Sequence, residues 1–134
     1  TLSLTLLSSL ARSYLHCDVF LLVFSMVSSR SLDHVATQWF SQVSHIKPDT
    51  PVVLVGLKTD LMEDKETLNR SQPVTPDQVK KINRRVGAHG FVQCSALTGD
   101  GIGSVLEFAV RTALGEHGKQ KKTGRCSANV CLLQ

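Results

Sequence analysis

Lys58 and Asp60 stand two apart in Gly56-Leu57-Lys58-Thr59-Asp60, directly after an apolar run over 51–56. An Asp carboxylate can accept two parallel hydrogen bonds, one from the ring N–H of guanine and one from its exocyclic amine; adenine lacks that pattern. The Lys stem can cover the base while its ammonium stays near the ribose or a phosphate-side oxygen. A second short loop, Ser95-Ala96-Leu97, also follows an apolar run, and a tight turn there can offer backbone N–H groups to the guanine carbonyl. Taken alone, Lys58-x-Asp60 reads as a surface turn. A second loop at the same sheet edge reverses that reading.

Different chemistry sits at the other end. Cys131-Leu132-Leu133-Gln134 has the form of a C-a-a-X box, in which the cysteine receives an isoprenoid, and Gln at the last position points to farnesyl. One lipid chain holds a protein to a bilayer only marginally. A second signal is present as the basic run Lys119, Lys121, Lys122 and Arg125, with Cys126 as a candidate palmitoylation site. The alternative is a polar tail that ends this way by chance. The composition of 119–134 suggests a segment that stays extended and accessible to a prenyl transferase.

These groups need a scaffold to position them. Residues 18–25 are apolar without alternation, the pattern of a strand covered on both faces. Leu32, Val35, Trp39, Val43 and Ile46 recur at helical spacing over about 31–44, and 51–56 is a second buried strand. The polar stretch 63–72 suits a short surface helix. Thr75-Pro76-Asp77-Gln78 carries a capping box with Pro at the first helical position. It opens a helix with Val79, Ile82 and Val86 inward and Lys80, Lys81, Arg84 and Arg85 toward water. Residues 91–94 form a third strand. In the helix over 100–114, Ile102, Val105, Leu106, Ala109, Val110 and Ala113 make one apolar stripe.

Strand, helix, strand, helix, strand, helix is the order of an α/β fold: a parallel sheet with helices on both faces. Ligands of such sheets bind outside the carboxyl ends of the strands, where both candidate loops lie. The 134 residues are one domain's worth of chain, and 42% apolar with 19% charged residues suits a globular protein. The net charge of +4 is uneven: residues 1–115 hold 11 basic and 10 acidic side chains, and 116–134 hold 4 and 1. The basicity belongs to the tail, which fits an anionic leaflet and argues against nucleic acid as a partner. Cys17, Cys94, Cys126 and Cys131 contain no C-x-x-C pair and the five histidines are scattered, so neither a metal site nor a disulfide framework is expected. Cys17 and Cys94 border apolar runs and read as small buried hydrophobes.

The chain resembles the Rho/Rac branch of the Ras-like small GTPases. The resemblance rests on Trp39 to His45, on Pro48 to Gly56, on the base loop Gly56 to Leu61, on Cys94-Ser95-Ala96-Leu97, and on the basic tail with its box. Residues 62–72 occupy the place of that branch's insert. Departures are as informative. The phosphate-cradling Gly-x-x-x-x-Gly-Lys-Ser/Thr loop and both switch segments are not found in the sequence, and Leu57 stands where the base loop usually opens with Asn or Thr. The chain begins at Thr1 and its first Met is Met26, so it is expected to represent the C-terminal portion of such a protein.

The resemblance implies a division into an atypical segment 1–12, a partial GTPase domain 13–115 and a prenylated tail 116–134. It implies a guanine-nucleotide switch at membranes, with Rho-type regulators and effectors as partners. Lys58, Asp60, Ser95, Ala96 and Leu97 would contact guanine, and no residue present would be catalytic. GTP or GDP would bind weakly or not at all here, and magnesium only in a complete form. The expected location is the cytoplasmic face of membranes, above all the plasma membrane, with a cytosolic pool. A membrane-anchored interaction module that binds no nucleotide is the alternative. In a chain lacking the strands that flank 18–25, that run is expected to be an open sheet edge.

Overall fold

The computed structural model describes residues 12–115 and the backbone of residues 130–133. Strand β1 spans Val19–Ser25 and β2 spans Val52–Leu57; they run parallel, with Phe20 opposite Val52 and Ser25 opposite Leu57. Strand β3, Phe91–Gln93, adds parallel to β2 with Val55 opposite Val92. Both faces of β1 are covered, as its unbroken apolar run requires. Phe20, Leu22 and Phe24 enter one core with Leu54, while Val19, Leu21 and Val23 enter a second with Val53 and Val55. Alternate side chains of a strand leave on opposite faces, so one sequence feeds two layers.

The first layer is built by helices α1 (Ser29–His34), α2 (Phe40–Ile46) and α4 (Pro76–Val86). They contribute Leu32, Val43, Val79, Ile82 and Val86 to its core. Between α1 and α2 the chain runs through a π-helical segment, Val35–Trp39. It inserts one residue of slack per turn, so Val35 and Ala36 are both buried and Trp39 and Phe40 both pack against the core. The capping box of α4 forms as the sequence indicates: the Gln78 N–H donates to Thr75 Oγ1 at 3.3 Å and the Thr75 N–H to Gln78 Oε1 at 2.9 Å. Lys80, Lys81, Arg84 and Arg85 are exposed. Between β2 and α4 the polar stretch forms a 3₁₀ turn, Thr59–Glu63, and helix α3, Lys65–Arg70.

The second layer is α5, Ile102–Ala113, lying against β1 and β3. Its inward face differs from the stripe predicted. Val105, Ala109 and Thr112 are buried, whereas Ile102 is 38% and Leu106 58% exposed. The helix is short and meets the sheet along a narrow line, so the flank of a wide apolar stripe stays in water.

The larger difference is a fourth strand. Strand β4, Val130–Leu133, pairs parallel to β1, with Val19 opposite Val130 and Leu22 opposite Leu133. The sheet order is β3-β2-β1-β4. Residues 130–133 of the expected accessible tail are thus paired, and the edge of β1 that was expected to be open carries a partner. An apolar strand with unpaired N–H and C=O groups is a strong template, and four apolar residues further along the chain satisfy it. Segment 1–11 and the basic run Lys119 to Arg125, with Cys126, lie outside the described residues.

Candidate functional site

The carboxyl ends of β2 and β3 release two loops side by side, because the strands are hydrogen-bonded neighbours. Backbone bonds lock the loops together. The Cys94 N–H donates to Gly56 O at 2.9 Å, and the Thr59 N–H donates to Cys94 O at 3.4 Å. At Lys58 the chain turns through a left-handed conformation, φ +61°, the one positive φ outside glycine among the described residues. A β-carbon in that region costs roughly 1–2 kcal/mol. The turn sets Lys58 outward, exposed, and starts the 3₁₀ turn that carries Asp60.

Asp60 and Ser95 meet across the two loops. The Ser95 hydroxyl donates to Asp60 Oδ1 at 2.6 Å, and Ser95 Oγ accepts from the Thr98 N–H at 3.3 Å. Ser95 is wholly buried and Asp60 half-buried. One oxygen of the carboxylate is therefore pinned to the floor of the site while Oδ2 has no partner among the described residues. The second loop is held by its own bonds: the Ser95 N–H to Asp100 O and the Gly99 N–H to Ser95 O, both 2.9 Å. The N–H groups of Ala96 and Leu97 have no acceptor among the described residues, and Leu97 is 83% exposed. Gly101 closes the loop at φ +76°, where a β-carbon would collide with the Gln93 carbonyl oxygen and lie 3.2 Å from Cys94 Cα. Burial raises the Cys94 thiol above its ordinary pKa, in keeping with a structural role beneath the loop.

All five residues singled out in the sequence, Lys58, Asp60, Ser95, Ala96 and Leu97, thus reach one end of the sheet. They form an open edge; neither of two cavities of about 440 and 420 Å³ is lined by any of them. The arrangement offers one oriented carboxylate, two free N–H donors, and one exposed ammonium. That set complements a flat heterocycle with adjacent donors on one edge and a carbonyl beside them.

The family model of the Ras family matches residues 7–115. The chain belongs to the Ras family. Its domain is of the small GTPase type, for which guanine nucleotides, with magnesium, are the general ligands. Within this Ras-family domain the residues present fit the base end of such a nucleotide, since the pinned carboxylate and free N–H groups match guanine's edge. Among the described residues no group of three or more His, Cys, Asp and Glu side chains gathers as a metal site. No described helix is long and apolar enough to cross a membrane.

Sequence reasoning gave Ser95 a backbone role only. Its hydroxyl is what joins the loops. The available signal was its position: a polar side chain immediately after Cys94, at the end of a strand, is buried and must bond to something near by.

Proposed function

We propose that this protein is a Rho/Rac-type guanine-nucleotide-binding switch that works at the cytoplasmic face of membranes, chiefly the plasma membrane. In this reading Asp60 accepts the guanine ring N–H and exocyclic amine. The free N–H groups of Ala96 and Leu97 donate to the base carbonyl, Ser95 holds Asp60 in place, and the Lys58 stem covers the ring. Leu57, an apolar residue at the mouth of the loop, adds contact area without side-chain hydrogen bonds. Rho-type regulators and effectors are the expected protein partners. Attachment to an anionic leaflet uses an isoprenoid on Cys131, the cations Lys119, Lys121, Lys122 and Arg125, and Cys126 as an additional lipid site.

The observation that carries the nucleotide reading is the Ser95–Asp60 bond, which aims a carboxylate beside two free N–H donors at the sheet end where α/β folds bind ligands. Guanosine tests it directly, because a nucleoside needs no phosphate cradle. Titrated into isotope-labelled protein, guanosine is expected to shift the amides of Lys58, Asp60 and Ser95 to Leu97, and adenosine is not. Asp60→Ala should abolish the guanosine response. Equal responses to both nucleosides, or a guanosine response that survives Asp60→Ala, refutes the base site.

A further inference from the structure

Helix α4 turns Val79, Lys80 and Asn83 toward a cavity of about 420 Å³. Spacings of three and four put them on one flank of the helix. Met26, Met62 and Phe91 line the cavity from the sheet and the 3₁₀ turn. Bonds within the fold fix these walls. The Met26 N–H donates to Leu57 O and the Val74 N–H to Met26 O, both at 2.9 Å. Residue 56 is glycine, and a β-carbon there would collide with the Met26 sulfur, so the thioether lies against β2. Phe91 is held by Phe24, their rings stacked with centroids 5.8 Å apart. Interiors leave few voids larger than a water molecule, whereas this volume and mainly apolar lining are those of a small-molecule site. Two thioethers and a ring make an adaptable surface that suits an aromatic guest.

The polar lining is one-sided in charge. Thr59, Lys80, Asn83 and Gln93 supply a hydroxyl, an ammonium and two amides, and no carboxylate lines the cavity. Lys80 has no ion-pair partner among the described residues, where both ion pairs join other side chains. Asn83 Oδ1 is shielded from solvent and has no hydrogen-bond partner among the described residues. An acceptor left in that state marks an amide whose bonds are not all made within the fold. We infer that this cavity binds a small aromatic carboxylic acid in its ionised form. The ring lies among Met26, Met62 and Phe91, and the carboxylate accepts from Lys80 Nζ and from the Asn83 amide. Residues three apart on a helix have about 5–6 Å between β-carbons, close enough for two donors to meet one carboxylate. None of Lys58, Asp60, Ser95, Ala96 and Leu97 lines the cavity, so the acid binds whether or not guanine does.

The chain has two methionines, Met26 and Met62, and both line the cavity. Isotope labelling of the methionine methyl groups in the full chain therefore gives two reporter signals, both at the site. On titration with phenylpropanoate, both signals should shift and saturate. Phenylpropanamide, the same shape without the charge, should bind about fivefold more weakly. Lys80→Gln should weaken the acid about threefold or more and leave the amide nearly unchanged, which brings the two ligands close together. Asn83→Ala, a change on the same helix flank that keeps the charge, should weaken the acid about twofold or more. Methionine signals that do not move with the acid overturn the inference. Equal affinities for acid and amide in the unmodified chain overturn it too, and so does an acid preference that survives Lys80→Gln undiminished.

Discussion

Ser95→Ala isolates the bond on which the candidate site depends. The side chain is fully buried, so alanine fits the space and introduces no new polar group. Two hydrogen bonds disappear: one to the Asp60 carboxylate at 2.6 Å and one from the Thr98 N–H at 3.3 Å. A bond to a charged group contributes about 1.5–3 kcal/mol and a neutral one about 0.5–1.5 kcal/mol. Asp60 is only half-buried and Thr98 is exposed, so water replaces part of each. The net loss should be about 2 kcal/mol, at the low end of the sum of the two bonds. In urea that moves the unfolding midpoint down by about 1 M, given a slope of about 1–3 kcal/mol/M. A double-mutant cycle with Asp60→Ala separates the bond from packing, and the coupling should be about 1 kcal/mol or more. Guanosine affinity should fall as well, since the carboxylate loses its orientation. A stability change inside about 0.5 kcal/mol, or strict additivity with Asp60→Ala, would refute the reasoning.

Gly101→Ala should destabilise by about 2 kcal/mol or more, because it combines a left-handed backbone with a collision at the Gln93 carbonyl. Gly99→Ala, with φ +80° and open space around the new carbon, should cost only about 1 kcal/mol. Thermal unfolding of the two side by side checks the ranking. Helix α3 should fray in acid. The Thr67 hydroxyl bond, with the Thr67 and Glu66 N–H groups, holds Asp64 below its ordinary value of 3.8. A lowered folded pKa means the cap's contribution is complete above the unfolded value and is lost as pH falls through the folded one. Protection of the Glu66 and Thr67 amides, taken against the intrinsic exchange rate at each pH, should therefore be constant above about pH 5 and fall in stronger acid, and Asp64→Ala should show the low protection at every pH.

Much of this architecture is legible in the residues themselves. The unbroken apolar run of β1 announces a strand buried on both faces, and the Thr75 to Gln78 capping box fixes the start of α4. The two loops could be paired on paper because adjacent parallel strands release their loops together. Other features depend on contacts that local pattern does not encode. The π segment at Val35–Trp39 answers to the sheet beneath it rather than to propensity. The outward turn of Leu106 depends on how narrowly α5 meets the sheet. The Ser95 hydroxyl bond spans two loops far apart in sequence. Strand β4 was hidden for a further reason: a tail judged by its lysines and its terminal box reads as solvated, although Val130-Cys131-Leu132-Leu133 is itself a short apolar strand pattern.

Every pairing in this sheet is parallel, so no strand finds its neighbour through a hairpin. The partner of Val19 on one side is Val130, nearly the whole length of the chain away. During synthesis β1 therefore leaves the ribosome long before β4 exists, and its outer edge waits through the making of every other described element. Non-local pairings of this kind form slowly, and an apolar edge left waiting is exposed to the wrong partners. Chaperone dependence during synthesis, and its relief once residues 130–133 have been translated, are the cellular signs to look for in a sheet whose edge strand comes from so far along the chain.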